Sequence, residues 1–297
     1  MKTNFINIIF LILLAYLQGD TLNVLPKIDF SKGFKIPSVI PETMPSNHRD
    51  ALLEYEINAI KQKAKDFIPA PVSKDDIVIM ETNRGVMKLK LFSDKAPNHC
   101  LNFKKLANSG YYDKTKFHRI IPGFMIQGGD INSRDIDFHN DGHGGPGWTI
   151  DAEFNDISHE RGILSMARSS DPNSAGSQFF ICVDDAKHLD GQYTAFGKVV
   201  DKVHIIDHIV NTTTDYQQVI RMSRNSIPKS EDPDNWITLR NPKTKKQIYS
   251  KVPQYRKKSD YEYEMKMKIN SDKPAIPLII EKIRVVHKSE LEKNNEK

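Results

Sequence analysis

The segment Phe117-His118-Arg119-Ile120-Ile121-Pro122-Gly123-Phe124-Met125-Ile126-Gln127-Gly128-Gly129-Asp130 holds the residue types best suited to chemistry. An arginine lies among aromatic and apolar residues, and a Pro-Gly turn separates it from Phe-Met-Ile-Gln. Two adjacent strands would then present Arg119, Phe124, Met125 and Gln127 to one place, an apolar pocket with a single fixed charge. A guanidinium is always protonated and donates from a planar fork, which suits a neutral, polarisable group such as an amide. A phosphate would call for several cations. Taken alone, such an arginine also fits a surface ion pair. Further along, Phe179 and Phe180 are adjacent and must point to opposite faces of a strand, so one is core and the other can line a cleft. His118 reads as a structural side chain. His139 and His143 have no third partner at metal-ligand spacing, so no metal site is expected.

These residues need a β scaffold, and the pattern from Ile77 supplies one. Ile77 to Thr82 and Val86 to Phe92 flank Asn83-Arg84-Gly85, which reads as a hairpin with glycine where positive φ is wanted. A helix follows, with Pro97 in its first turn, Leu101, Phe103 and Leu106 on its apolar side, and Gly110 at its end. Apolar runs at Lys116 to Ile121, Phe124 to Gln127, Ile163 to Ala167, Gln178 to Val183 and Ala195 to Val199 read as further strands. A second helix runs from about Lys202 to Val210, and a last strand from Ile276 to Val286. Many short strands and two helices predict a mainly β fold, a closed antiparallel barrel capped by helices, because closure removes exposed edges.

Segments outside this unit are of several kinds. Residues 1 to 19 carry Lys2 and an apolar run, Phe5 to Leu17, interrupted by Asn7, too short to span a bilayer comfortably and typical of a signal peptide. Passage into the secretory pathway is the expectation, lumenal or exported; an uncleaved signal anchor tethering the protein to a membrane is the alternative. Residues 20 to 74 form an extension: a Pro-punctuated arm, then a helix over 46–67 with Ser46 as N-cap and Leu53, Ile57, Ile60, Ala64 and Phe67 as one apolar stripe. The stripe is expected to dock on the body, with a membrane or partner as the alternative. The barrel occupies 75–211 and 276–287, interrupted by an insertion over 212–275, with a charged tail over 288–297. In the insertion, Trp236 to Leu239 and Gln247 to Tyr249 around Asn241-Pro242 predict a hairpin. Tyr261, Tyr263, Met265, Met267 and Ile269 alternate with charged residues, which predicts a half-buried strand.

With 38% hydrophobic and 27% charged residues in 297, the chain has the composition of a globular protein with a proper core. Its net charge of +5 is uneven: from Asn211 onward 19 Lys/Arg stand against 12 Asp/Glu, a net +7, leaving −2 before that point. A run of this kind is usually a solvated face, and no nucleic-acid partner is expected. Cys100 and Cys182 are too few for a disulfide framework and read as buried free thiols. Asn211-Thr212-Thr213 is a glycosylation pattern that matters only on a secretory route.

Four ordered motifs carry a family resemblance. They are Phe117 to Asp130; Gly162-Ile163-Leu164-Ser165-Met166-Ala167-Arg168-Ser169; Asn173-Ser174-Ala175-Gly176-Ser177-Gln178-Phe179-Phe180-Ile181; and Leu189-Asp190-Gly191-Gln192-Tyr193-Thr194-Ala195-Phe196-Gly197-Lys198-Val199. Together they resemble the cyclophilin family of peptidyl-prolyl isomerases, over about Ile77 to Val210 plus Pro277 to Val286. The resemblance implies an eight-stranded antiparallel barrel that isomerises X-Pro peptide bonds with no cofactor, as a monomer acting on proline-containing peptides and unfolded or client proteins. By matching position it implies Arg119 as the catalytic residue. Phe124, Met125, Phe180 and Leu189 would line the proline pocket, Gln127 and Gln178 would orient the substrate, and Ala167 and Arg168 would hold the preceding residue through their backbone. Tyr193 stands where many members have histidine. His188 stands where the best-known members place a tryptophan that packs on cyclosporin, which implies weakened cyclosporin binding. A non-catalytic proline-peptide binding module is the alternative from another class.

Overall fold

Strand formation begins where side chains alternate between burial and exposure. In the computed structural model, which describes residues 52–135 and 139–295, β1 (Asp76–Thr82) and β2 (Gly85–Leu91) form the expected hairpin. Val78, Met80, Met87, Leu89 and Leu91 point inward. Gly85, at φ +132°, makes the turn, and the Thr82 hydroxyl donates to its carbonyl at 2.8 Å. The strands β3 (Arg119–Ile121), β4 (Met125–Gly128), β5 (Ile163–Met166), β6 (Phe179–Cys182) and β7 (Ala195–Asp201) follow. With β10 (Ile280–His287) they complete an eight-stranded antiparallel sheet in the order β10-β1-β2-β7-β5-β6-β4-β3.

The sheet is strongly curled, but the closed barrel expected from the sequence requires correction. Its two end strands, β10 and β3, share no ladder. The chain just before β3 meets the start of β10 and the residues leading into it instead: Phe117 N–H donates to Leu278 O at 2.9 Å and Ile280 N–H to Thr115 O at 2.8 Å. These few bonds satisfy backbone groups that an open edge would leave exposed, while the edge of β3 is taken by the end of the insertion, Ile120 N–H donating to Asp272 O at 2.9 Å.

Two helices lie against the curl. The first is α2 (Pro97–Ser109), which ends at Gly110 in the left-handed region, φ +84°. Its inward stripe is Cys100, Phe103, Leu106 and Ala107, while Leu101, expected on that side, is 39% exposed because a helix turns it about 100° per residue away from Cys100. The second is α3 (Ile205–Val210), with Ile205, Ile206 and Ile209 buried. Cys100 and Cys182 are both buried and free, and burial pushes both thiols up to about 12.

Ahead of the sheet lies α1 (Glu54–Asp66), shorter than the expected 46–67. Leu52 is instead extended, its N–H donating to Arg134 O at 3.0 Å, and Leu53 N–H is capped by the Glu56 carboxylate at 2.8 Å. Ser46, the expected cap, lies outside the described residues, as do the leader and the Pro-punctuated arm. Ile57 and Ala64 of the stripe join the main core, with Ile60 packed against it.

The insertion is folded around its own small core. Helix α4 (Asp215–Met222), the hairpin β8 (Trp236–Arg240) and β9 (Gln247–Lys251), and α5 (Lys258–Lys268) bury Val219, Ile237, Leu239, Ile248, Tyr261, Met265 and Ile269 together. The hairpin matches expectation, but the strand predicted over Tyr261 to Ile269 is a helix. Tyr261, Met265 and Ile269 fall one helical turn apart and are buried, while Tyr263 and Met267 are 64% and 49% exposed. A short helix, α6 (Lys288–Asn295), follows β10.

Candidate active site

The curled sheet separates two rows of side chains one residue out of step. Ile120 stands opposite Ile126, Ile126 opposite Ile181, and Ile181 opposite Leu164; all four are fully buried in the main core. In the neighbouring row Arg119 stands opposite Gln127, Gln127 opposite Phe180, and Phe180 opposite Ser165. Because alternate residues of a strand face opposite ways, this second row lies on the outer face, crossing β3, β4, β6 and β5. Three of the residues singled out from sequence are thus neighbours because of register alone.

An apolar patch surrounds Phe180. Met125, Phe180 and Leu189 are buried in a second cluster, separate from the main core, with Phe124, Ala167, Ile121 and Tyr193 packed against it. The Phe180 and Tyr193 rings meet edge to face at 5.9 Å, and His188 sits at the rim with its ring 5.4 Å from that of Phe124. Such a surface, apolar and aromatic with polar groups at one side, is the form of a small-ligand cleft.

The polar side is a relay of hydrogen bonds. Gln178 Nε2 donates to the carbonyls of Gly142 and Gly144, both at 2.9 Å, which fixes its amide orientation. Gln178 Oε1 then accepts from Gln127 Nε2 at 3.0 Å, leaving Gln127 Oε1 to accept from Arg119 Nη1 at 3.4 Å. The loop that supplies those carbonyls is tied down by Asp130, whose buried carboxylate accepts from Asn132 N–H at 2.8 Å and from Gly142 N–H. Burial raises the Asp130 carboxyl above its ordinary range, and these amide bonds oppose that shift. Gly144 lies so close to Asp130 that a Cβ there would fall 2.0 Å from its carboxylate oxygen. A cavity of about 790 Å³ adjoins this relay, bordered by Gln127, Gln178, Trp148, Ala167 and Arg168.

Ala167 and Arg168 form the remaining wall. The Ala167 amide donates to Gln178 O at 3.0 Å, which fixes the backbone of this wall. The Arg168 guanidinium turns away and stacks 4.5 Å over the Tyr193 ring, donating to Ser169 O at 2.9 Å and Gln192 O at 3.0 Å.

His118 is buried, and desolvation lowers it to about 4, with Lys273 and Arg119 adding to the shift and Asp141 opposing it. It is therefore neutral at physiological pH and adds no charge beside Arg119. His139 is exposed, and among the described residues no group of three or more His, Cys, Asp or Glu could hold a metal ion.

Two features escaped the sequence reading. Beneath Phe180, the His159 ring stacks at 6.2 Å; its Nδ1 lies 2.9 Å from Asp190 and its Nε2 2.9 Å from the Ser165 hydroxyl. Hydrogen bonds from the His159 amide and the Ser158 hydroxyl hold the Asp190 carboxyl down to about 2. Ser165 and Asp190 lie within the ordered motifs, but nothing local in the sequence links them to His159. The second feature is Asp272, from the end of the insertion, with its carboxylate 3.8 Å from Arg119 Nε.

Comparison with known proteins decides the family. Residues 77–229 match the model for cyclophilin type peptidyl-prolyl cis-trans isomerases. This chain belongs to that family. A peptidyl-prolyl cis-trans isomerase of Synechococcus elongatus is 48% identical over 123 residues, 41% of this chain and 79% of its own length. One from Arabidopsis thaliana is 44% identical over 144 residues, 46% of this chain and 84% of its own. A crystal structure of a Cryptosporidium parvum cyclophilin type isomerase, in the presence of the dipeptide Ala-Pro, covers 71% of this chain and 98% of its own at 30% identity and a TM-score of 0.49. The cyclophilin described here is a peptidyl-prolyl cis-trans isomerase.

Proposed function

We propose that Arg119 catalyses the isomerisation by donating a hydrogen bond to the prolyl nitrogen as the X-Pro bond twists. The observation that carries this reading is the register that sets Arg119 beside Gln127, and Gln127 beside Phe180, on one face. Resonance gives the peptide bond a rotational barrier of about 18–20 kcal/mol. At the twisted geometry the nitrogen lone pair is released from the carbonyl and becomes a hydrogen-bond acceptor. A donor already aimed there binds the transition state better than either planar ground state.

The rest of the cleft does the holding. Phe124, Met125, Phe180 and Leu189, packed around one apolar patch, take the proline ring, with Tyr193 closing one edge. Gln127 and Gln178, whose amides are oriented by the Gly142 and Gly144 carbonyls, bind the substrate backbone. The Ala167 carbonyl and the Arg168 backbone hold the residue before proline. With the ring anchored and the preceding carbonyl free to swing, rotation needs neither a nucleophile nor a general base.

The isomerase assists folding in the secretory pathway. The support is the apolar run Phe5 to Leu17 after Lys2, together with an exposed Asn211 in its Asn-Thr-Thr pattern. N-terminal sequencing of the protein isolated from its own cells tests this placement: a start just beyond the apolar run supports it, and an intact Met1 in a soluble cytosolic fraction contradicts it. Intact Met1 in a membrane fraction would point to the tethered form. For the activity, the purified chain should accelerate isomerisation of a short X-Pro peptide. Binding of that peptide without acceleration would favour a non-catalytic binding module.

A further inference from the structure

The end of the insertion returns alongside β3 and is fixed there by its backbone. Ile120 N–H donates to Asp272 O at 2.9 Å, Asp215 N–H to Lys273 O at 2.9 Å and Ala275 N–H to Thr213 O at 2.9 Å. Lys273 Nζ pairs with Asp141 at 2.5 Å. None of these bonds uses the Asp272 side chain, so the position of its Cα is set independently of what that side chain does. The carboxylate lies 3.8 Å from Arg119 Nε, and the two side chains are 39% and 46% exposed.

Arg119 is thereby held on two sides. Its Nη1 is 3.4 Å from Gln127 Oε1 and its Nε edge faces Asp272. A guanidinium is planar, so attraction at one edge and a hydrogen bond at another restrict rotation about the bonds that join it to its stem. This matters because β3 is three residues long and lies at the end of the sheet, where a long side chain would otherwise sample many rotamers.

We propose that Asp272 is a positioning residue for Arg119, an acidic group supplied by the insertion that holds the guanidinium in the orientation needed for donation. This rests on Arg119 being the donor, as argued above. Asp272 does not touch the substrate; it acts through the arginine, so its effect should appear in turnover more than in substrate affinity.

A double-mutant cycle separates the two ideas. Isomerisation of a short X-Pro peptide is measured for the wild type, Asp272→Ala, Asp272→Asn, Arg119→Ala and the double variant Asp272→Ala/Arg119→Ala, in low and high salt. Two half-exposed charges at this separation are worth about 1 kcal/mol in water, so Asp272→Ala should lower kcat/KM about threefold to fivefold, through kcat. Asp272→Asn keeps the shape and should lose most of the same activity. At about 1 M salt, where charges are screened beyond about 3 Å, the wild type and the two single Asp272 variants should converge. In the Arg119→Ala background, Asp272→Ala should cause no further loss. Wild-type activity of Asp272→Ala in low salt would overturn the proposal, as would an equal loss in both arginine backgrounds or a loss that salt leaves unchanged. If Arg119→Ala itself matched the wild type, the donor role would fail first and take this one with it.

Discussion

Phe179 and Phe180 are consecutive on β6 yet belong to different clusters, Phe179 to the main core and Phe180 to the apolar patch on the outer face. Phe179 meets Phe103 at 5.6 Å and Tyr112 at 5.5 Å, both edge to face. Phe180 instead rests on His159 and abuts Tyr193. The wall between fold and cleft is therefore one strand thick, and adjacent residues serve the two sides.

That separation predicts a split between stability and turnover. Phe179→Ala should cost about 3–5 kcal/mol of folding stability, the usual loss for a large aromatic in a packed core. Its activity per folded molecule should stay near that of the wild type. Phe180→Ala should cost less stability while lowering kcat/KM more than tenfold, because the proposed seat of the proline ring is lost. Chemical denaturation and peptide isomerisation on the same samples check both, and a pair of variants with the two effects reversed would contradict the assignment.

His188 sets a second expectation, at the rim. With its ring 5.4 Å from Phe124, it offers less apolar surface to a cyclic apolar ligand than tryptophan would. Restoring tryptophan would bury on the order of 50 Å² more, about 1.3 kcal/mol or tenfold in affinity. Cyclosporin should therefore inhibit the wild type weakly and His188→Trp about tenfold better. Inhibition unaltered by the substitution would remove His188 as the cause.

His118 should titrate far below an ordinary histidine. Burial lowers it to about 4, so between about 4 and the unfolded value of roughly 6.5 the unfolded chain carries a proton there that the folded chain does not. Stability from the neutral ring is complete above the unfolded value and declines as pH falls towards about 4, by on the order of 3 kcal/mol in all. An NMR titration of the His118 ring protons reads this directly; a midpoint near 6.5 would contradict it.

The insertion shows where a sequence pattern is ambiguous. Tyr261, Tyr263, Met265, Met267 and Ile269 satisfy a period of two, but every second member also recurs at four, the spacing of a helical stripe. The helix prevails because the hairpin of Ile237, Leu239 and Ile248 offers one narrow apolar face to cover, and three residues suffice for it. On a strand Met265 and Met267 would share a face; on α5 they do not. Met265→Lys should unfold the insertion, by at least 2 kcal/mol for an unpaired buried charge, while Met267→Lys should be nearly silent. Hydrogen exchange over residues 215–269 distinguishes them, and equal effects would contradict the helix.

Most of the cleft was legible because its motifs are local and ordered. Arg119 to Gln127 span one hairpin, and Phe180 follows from strand alternation. What stayed hidden depends on contacts between distant segments. Nothing near His159 foretells its bonds to Ser165 and Asp190, and nothing in an insertion read only as an interruption foretells that Asp272 ends beside Arg119. Strict closure of the barrel failed as an expectation for a related reason: the edge of β3 pairs with the end of the insertion, Ile120 N–H donating to Asp272 O, a distant contact that hydrophobic patterning does not specify.

Isomerisation of a short X-Pro peptide by the wild type and by Arg119→Ala, with folding verified by circular dichroism, bears most directly on the chemistry. Removing one preorganised donor aimed at a developing acceptor should lower kcat/KM by about 10²- to 10³-fold, with Arg119→Lys recovering only part because an ammonium lacks the planar fork. Equal rates for wild type and Arg119→Ala would contradict the assignment of Arg119 as the donor to the prolyl nitrogen.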